Sequence, residues 1–311
     1  MDDIEIIEDF NNKDSILARY GENMLENKYI TNPAISREEE IKKMILALVT
    51  PDKSAILVGK PGIGKTALVE GLTYRIQQGD IPEVLKKFSI IKINVTALIG
   101  SSTQDGNSDT KIHLLVDEIK DKKDIILFID EIHNLIGSNA NNSLDFANML
   151  KPGLDRGSIK IIGATTTEEF DRYLVRDRAF LRRFEKIEIE EPSMETTVKI
   201  LIGSIPRIEH KTGVKFDYTD FVIENIIKFM VNMTSEYKRI FEGTSKYPDV
   251  TFTLLNKAFS FALYDNKDKV TFKHIYEAIS TFENVYPDVR AKEIILFKEE
   301  FAKYLEEEKV L

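Results

Sequence analysis

The 311-residue chain has no cysteine. That excludes disulfides, thiol catalysis and cysteine-based metal sites. Positive charge is also in deficit. Lysine and arginine number 43 against 52 aspartates and glutamates, for a formal net charge of −9. Neutralising phosphates requires a basic surface, so duplex DNA and anionic membrane are poor main partners; a local basic patch stays open. Long apolar runs are missing too, and none approaches the ~20 residues of a membrane span. The start, Met1-Asp2-Asp3-Ile4-Glu5, is acidic and lacks the basic, then apolar, opening of a signal peptide. The expected location is cytoplasmic.

What is present is organised around Gly59-Lys60-Pro61-Gly62-Ile63-Gly64-Lys65-Thr66, which reads G-x-x-x-x-G-K-T. Ala55-Ile56-Leu57-Val58 leads in as a buried strand, and Thr66-Ala67-Leu68-Val69-Glu70-Gly71-Leu72 leads out as a helix. Strand, loop and helix in that order make a phosphate-binding P-loop. Its glycines let backbone N–H groups surround phosphate oxygens, and the helix N-terminus adds its positive dipole end. ATP with Mg²⁺ is the expected cofactor pair. Gly59, Pro61, Gly62, Ile63, Gly64 and Ala67 line the cradle, Lys65 reaches the β- and γ-phosphates, and Thr66 holds the metal. A second signal is Ile125-Ile126-Leu127-Phe128-Ile129, an apolar strand ending in Asp130-Glu131. Asp130 can orient Mg²⁺ and Glu131 can polarise the attacking water.

The rest of the chain fits around these two. Residues 1–30 are charged, with a helix expected over Ser15–Asn27, broken by Asn32-Pro33. Ser36 and Glu39 are spaced as a capping box for a helix through Ile41, Ile45 and Leu48. Strands are expected at Ile90–Val95, Ile159–Gly163 and Ile187–Ile189, with helices between, so five strands build a mostly parallel sheet covered on both faces. After Pro192 the pattern turns helical at 193–211, 218–233, 250–264 and 271–284. The tail over Glu293–Lys309 is charged, with Ile295, Phe297, Phe301, Tyr304 and Leu305 as its apolar positions. The expected division is a helical segment at 1–30, an α/β ATPase domain at 31–191, an all-helical lid at 192–286 and a C-terminal helix at 287–311.

Two further groups are ambiguous on chemistry alone. Thr165-Thr166 ends the fourth strand, where a hydroxyl can face the attacking water or cap the helix that follows. Arg182-Arg183 can be a solvated basic pair.

The chain from Tyr20-Gly21 to about Glu191 resembles the first ATPase module of the Clp-type AAA+ unfoldases (ClpA, ClpB, ClpC). The resemblance rests on Tyr20-Gly21-Glu22-Asn23, the P-loop with Val69-Glu70-Gly71-Leu72, and Gly79-Asp80-Ile81-Pro82. It continues through Ile126–His133, Asn148–Gly157, Gly163–Thr166, Arg182-Arg183-Phe184 and Glu191-Pro192-Ser193. It implies an ATP-hydrolysing homo-oligomeric ring, a hexamer, that remodels, disassembles or unfolds a protein client. It also implies a sensor role for Thr166 and an arginine-finger role for Arg182 and Arg183 toward a neighbouring subunit's nucleotide. Adenine packing falls to Ala34 and Ile35, with Ser36 in place of a usual glycine. Ile200 and Leu201 cover the base from the lid, and the lid motif Tyr247-Pro248-Asp249 adds Asp249. His133 reads as a passenger of its motif.

Three features depart from that family. Thr103-Gln104-Asp105-Gly106 falls where the family carries an aromatic pore loop, and glutamine buries far less against a threaded chain. There is one P-loop, with no second ATPase module in the sequence given. Val250 stands where a lysine is usual. A second reading is therefore an ATP-gated assembly or scaffold switch acting on a dedicated partner. DNA remodelling fits the acidic charge poorly, and nothing resembles the acceptor site of a small kinase.

Overall fold

A computed structural model describes residues 15–99, 108–122, 124–136, 143–155, 157, 159–240 and 246–310. The pore-loop positions Thr103–Gly106 lie outside these. Contacts divide the chain into two compact units, residues 1–60 with 65–189, and residues 61–64 with 190–311.

The first unit is built on a six-stranded sheet. Its strands are β1 (Gly21–Asn23), β2 (Ser54–Val58), β3 (Ser89–Ile93), β4 (Ile125–Ile129), β5 (Lys160–Thr165) and β6 (Phe184–Glu188). They lie in the order β1-β3-β4-β5-β2-β6. All neighbours are parallel except β1 on β3. β2, β4 and β5 are buried along their whole length, as strands covered on both faces must be, which is why they read as apolar runs with polar residues only at their ends. Ile56, Ile91, Leu127 and Ile161 contribute to one core from four adjacent strands.

The sixth strand corrects the expected five. A continuous helix over Ser15–Asn27 does not form. Helix α1 (Ile16–Tyr20) stops at Gly21, which turns extended and pairs with Ile93. Only glycine fits there, because a Cβ would lie 2.5 Å from the Leu17 carbonyl oxygen and 2.8 Å from the Ile91 side chain. The Ser36–Glu39 box is also corrected. Helix α2 (Glu38–Val49) is preceded by Arg37, with no side-chain cap. Ser36 has φ 56°, whereas a capping residue needs extended backbone, and Arg37 pairs with Glu40 at 2.7 Å instead. The expected strand at 187–189 is shifted, since β6 begins at Phe184 in register with Ser54.

The rest of the first unit covers the sheet. Helix α3 (Lys65–Gln78) follows the P-loop, and α4 (Val95–Ile99) and α5 (Ser108–Asp121) follow β3. Short α6 (His133–Ile136) and then α7 (Ser143–Asp155) follow β4. Three-residue α8 (Thr167–Glu169) and α9 (Arg178–Leu181) link β5 to β6.

The second unit is helical: α10 (Met194–Thr212), α11 (Asp220–Met233), α12 (Asp249–Tyr264), α13 (Phe272–Ser280), α14 (Pro287–Glu300) and α15 (Ala302–Glu307). Gly213 closes α10 in the left-handed conformation, with φ 75°. Leu201, Ile226, Leu254, Phe259 and Ile275 belong to a single core that also takes in Phe297 of α14, Phe301 at the junction and Leu305 of α15. Of the tail's expected apolar positions, Ile295 instead faces solvent, 57% exposed.

Candidate active site

The P-loop links β2 to α3. Gly62 and Gly64 take φ values of 77° and 97°, open to glycine and strained for other residues. The Lys65 ammonium folds back to donate to the carbonyl oxygens of Gly59 at 2.8 Å and Lys60 at 3.0 Å. Burial holds that ammonium below the usual lysine value, opposed by the carboxylates of Asp130, Glu169 and Glu131. A cation partly stripped of water is primed to gain from an incoming anion.

β4 lies two strands from β2, with β5 between, and brings Asp130 to the start of α3. The Thr66 hydroxyl donates to Asp130 Oδ2 at 3.1 Å. Asp130 Oδ1 accepts the Glu131 N–H at 3.1 Å. Both groups are hard oxygen donors of the kind Mg²⁺ takes, directly or through its water shell. Thr66 and Asp130 thus fit the metal, and Lys65 with the glycine loop fits a triphosphate.

Glu131 is held in an unusual way. Its φ is 51°, the left-handed region that costs a non-glycine residue about 1–3 kcal/mol. Its Oε2 accepts from the Asn134 side-chain amide at 3.1 Å, and its backbone carbonyl accepts the Asn134 N–H at 2.9 Å. A cleft of about 510 Å³ opens beside Asp130 and Glu131, with Arg19, Lys92, Asn94 and Asn134 on its walls.

The strand-end threonines separate in role. The Thr166 hydroxyl donates to Glu169 Oε2 at 2.8 Å and accepts the Glu169 N–H at 3.2 Å, a complete capping box. Thr165 is 2% exposed, and its hydroxyl lies 3.1 Å from His133 Nδ1. His133, expected to be a passenger, is buried beside the end of β5. The T-x-x-E spacing from Thr166 is the signal that could have singled out Glu169. Asn134 left no signal beyond being an amide three residues after an acid.

Residues 55–189 match the family of ATPases associated with various cellular activities, AAA. The chaperone protein ClpB of Aquifex aeolicus is 38% identical over 248 residues, which is 78% of this chain and 24% of that protein. The chain carries a Clp-type AAA module. The ClpA homolog protein of Fuscovulum blasticum is 35% identical over 251 residues, 79% of this chain and 30% of that protein. The Hsp104–ADP complex of S. cerevisiae superposes with a TM-score of 0.70 at 33% identity, covering 84% of this chain and 44% of that one. An extended Hsp104–casein complex gives a TM-score of 0.70, covering 86% and 45%. The chain thus spans about a quarter to a third of the length of these curated relatives.

Within the module, Ala34 is 3% exposed and sits so close to α3 that a Cβ on Gly71 would lie 2.3 Å from its own Cβ. Ile35 is half-buried beside it. Ser36 holds a left-handed backbone, φ 56°, a conformation that glycine adopts at no steric cost. The arginine pair divides. Arg182 is exposed at the end of α9, whereas Arg183 is 5% exposed and turns back to donate to the Ala179 carbonyl.

In the helical unit, Leu201 is fully buried in the core, while Ile200, 7% exposed, stands outside that cluster. Asp249 is exposed in the first turn of α12. Val250 is fully buried in the same core, so this departure falls at a position where a lysine would have to bury its chain. Before α12, Glu191 accepts from Arg239 at 2.6 Å and from the Tyr247 N–H at 2.9 Å. Burial pushes the Tyr247 hydroxyl up to about 12. Among the described residues, no helix is long and apolar enough to cross a membrane, and no cluster of His, Asp and Glu could hold a metal by itself.

Proposed function

We propose that this chain hydrolyses ATP with Mg²⁺ as an oligomeric Clp-like ring, a hexamer, and spends the energy on remodelling a protein client. The observation that carries the reading is the convergence of Lys65, Thr66, Asp130 and Glu131, with the Thr66 hydroxyl 3.1 Å from Asp130 Oδ2.

MgATP supplies the phosphoryl group that is transferred to water. Lys65 leaves the carbonyls of Gly59 and Lys60 to neutralise phosphate charge. Thr66 and Asp130 would hold Mg²⁺, whose charge would offset that of the phosphates. Glu131 takes the proton of the attacking water, oriented meanwhile by Asn134. Arg182, the exposed member of the pair, is the better suited of the two arginines to reach a neighbouring subunit's site. Arg183, turned onto Ala179, serves the local fold. A cation supplied in trans stabilises the charge of phosphoryl transfer and ties turnover to assembly.

The protein client is proposed from the likeness to chaperone ClpB and to Hsp104, solved with casein. A hydrolysis-dead ring keeps what it normally releases. Tagged Glu131→Gln, purified with ATP beside Lys65→Ala, should therefore retain client proteins that the second variant lacks. Equal recovery from both would refute ATP-gated client handling. One or two partners at fixed stoichiometry would favour a dedicated switch over a general unfoldase.

A further inference from the structure

His133 sits where the turn bearing Glu131 meets the end of β5. It is 7% exposed, and its ring stacks with Tyr173 at a centroid distance of 6.1 Å and an interplanar angle of 16°. One nitrogen, Nδ1, faces two oxygens: Thr165 Oγ1 at 3.1 Å and Glu169 Oε2 at 3.2 Å. An ionised carboxylate only accepts hydrogen bonds, so Nδ1 beside it carries the proton, and a neutral ring here is the Nδ1–H tautomer. The same Glu169 oxygen accepts from the Thr166 hydroxyl at 2.8 Å and the Thr166 N–H at 3.3 Å. One carboxylate oxygen thus gathers donors from the Glu131 side and from the strand end. The two segments are joined otherwise by a backbone bond from the Ile132 N–H to the Ala164 carbonyl at 3.0 Å.

This arrangement bears on hydrolysis because the Thr166 hydroxyl has a single proton, and the cap holds it. For that proton to turn toward the attacking water or the γ-phosphate, Glu169 must release it. A carboxylate left with fewer donors in a half-buried place is costly unless another donor remains. His133 Nδ1–H is that donor.

We propose that His133 is a positioning residue of the hydrolytic step, acting through Glu169 on Thr166 and through Thr165 on the end of β5. The proposal rests on the reading of Glu131 as the base. It assigns His133 no contact with nucleotide.

Its test uses the full chain and three variants. His133→Asn places an amide N–H near the position of Nδ1, whereas His133→Gln carries its amide out toward Nε2. His133→Ala should lower kcat about tenfold to a hundredfold, the scale of a misplaced catalytic group. KM and the affinity for a fluorescent ADP analogue should stay within about twofold, as for a loss confined to the transition state. Asparagine should restore most of the lost kcat and glutamine little of it.

Nitrogen-15 NMR of the wild-type imidazole without nucleotide should show the Nδ1–H tautomer, a readout independent of turnover and of how the variants fold. An Nε2–H tautomer overturns the proposal, as does wild-type kcat in the alanine variant or equal rescue by asparagine and glutamine. Glu131→Gln, measured alongside, separates the two readings. If it still hydrolyses, the base assignment fails. If it is inert while His133→Ala is normal, only the positioning role fails.

Discussion

Removing the ring of Phe297 should destabilise the helical unit far more than its place in a charged tail suggests. Phe297 is fully buried, and its ring lies 5.3 Å from Phe229 and 4.9 Å from Phe301. Phe301 and Leu305 follow it into the same core, and Tyr304 stacks on Phe272 at 4.8 Å and 7°. Glu308 fastens the end, accepting the Phe272 N–H at 2.7 Å and the Tyr218 hydroxyl at 2.7 Å. Phe297→Ala removes a buried ring and leaves a cavity, at a cost of about 3–5 kcal/mol. For a cooperative unit of this size that corresponds to a fall in Tm of about 10–20 °C. Ile295→Ala, on the same helix but 57% exposed, should change stability by no more than about 0.5 kcal/mol. Scanning calorimetry of the full chain reads both. A shift below about 2 °C for Phe297→Ala would show that α14 and α15 contribute little to the core, and the packing argument would be wrong.

Two further predictions concern the approach to β6. Arg182→Ala should abolish most hydrolysis while leaving Tm within about 2 °C, since an exposed side chain is lost. Arg183→Ala should lower Tm clearly, and the reverse pattern, read by phosphate release and thermal unfolding, would reassign the pair. Asp177 caps α9 by accepting the Phe180 N–H at 2.9 Å and pairs with Lys151 at 2.9 Å. Burial tends to raise its carboxyl, but the Lys151 ammonium and the Phe180 and Ala179 amides outweigh this and hold it below the ordinary value. A depressed folded value means the stabilisation is complete above the ordinary aspartate value of about 3.9 and disappears as pH falls through the folded one. Asp177→Ala should therefore cost about 1 kcal/mol at neutral pH and progressively less on acidification below pH 4. A pH-independent difference in denaturant midpoints would contradict the assignment.

The parallel core was legible because β2, β4 and β5 are buried on both faces, so their sequences are mainly apolar, with Ser54, Lys160 and Thr165 only at strand ends. β1 was not. Gly21–Asn23 is three residues long with one exposed side chain, and its placement depends on a close approach to Leu17 and Ile91 that only the folded chain reveals. The P-loop and Asp130-Glu131 were legible because their chemistry requires fixed residue types at fixed spacing. Thr166 and the arginine pair were not resolved by spacing, because a cap and a sensor use the same hydroxyl, and neighbouring arginines point to different places. His133 looked idle because its partners, Thr165 and Glu169, are 32 and 36 residues away in sequence and meet it through the sheet. The tail's role was hidden by charge, since Phe297, Phe301 and Leu305 alternate with lysines and glutamates on the outer face.

The most direct test of the central claim is phosphate release from ATP by wild-type chain and by Glu131→Gln, with ATP affinity measured on the same samples. Wild-type turnover should depend on Mg²⁺. The variant should bind ATP within about threefold of the wild-type affinity and hydrolyse at least about a hundredfold more slowly, as expected when the general base is lost. Undiminished turnover by Glu131→Gln would contradict the account at its centre.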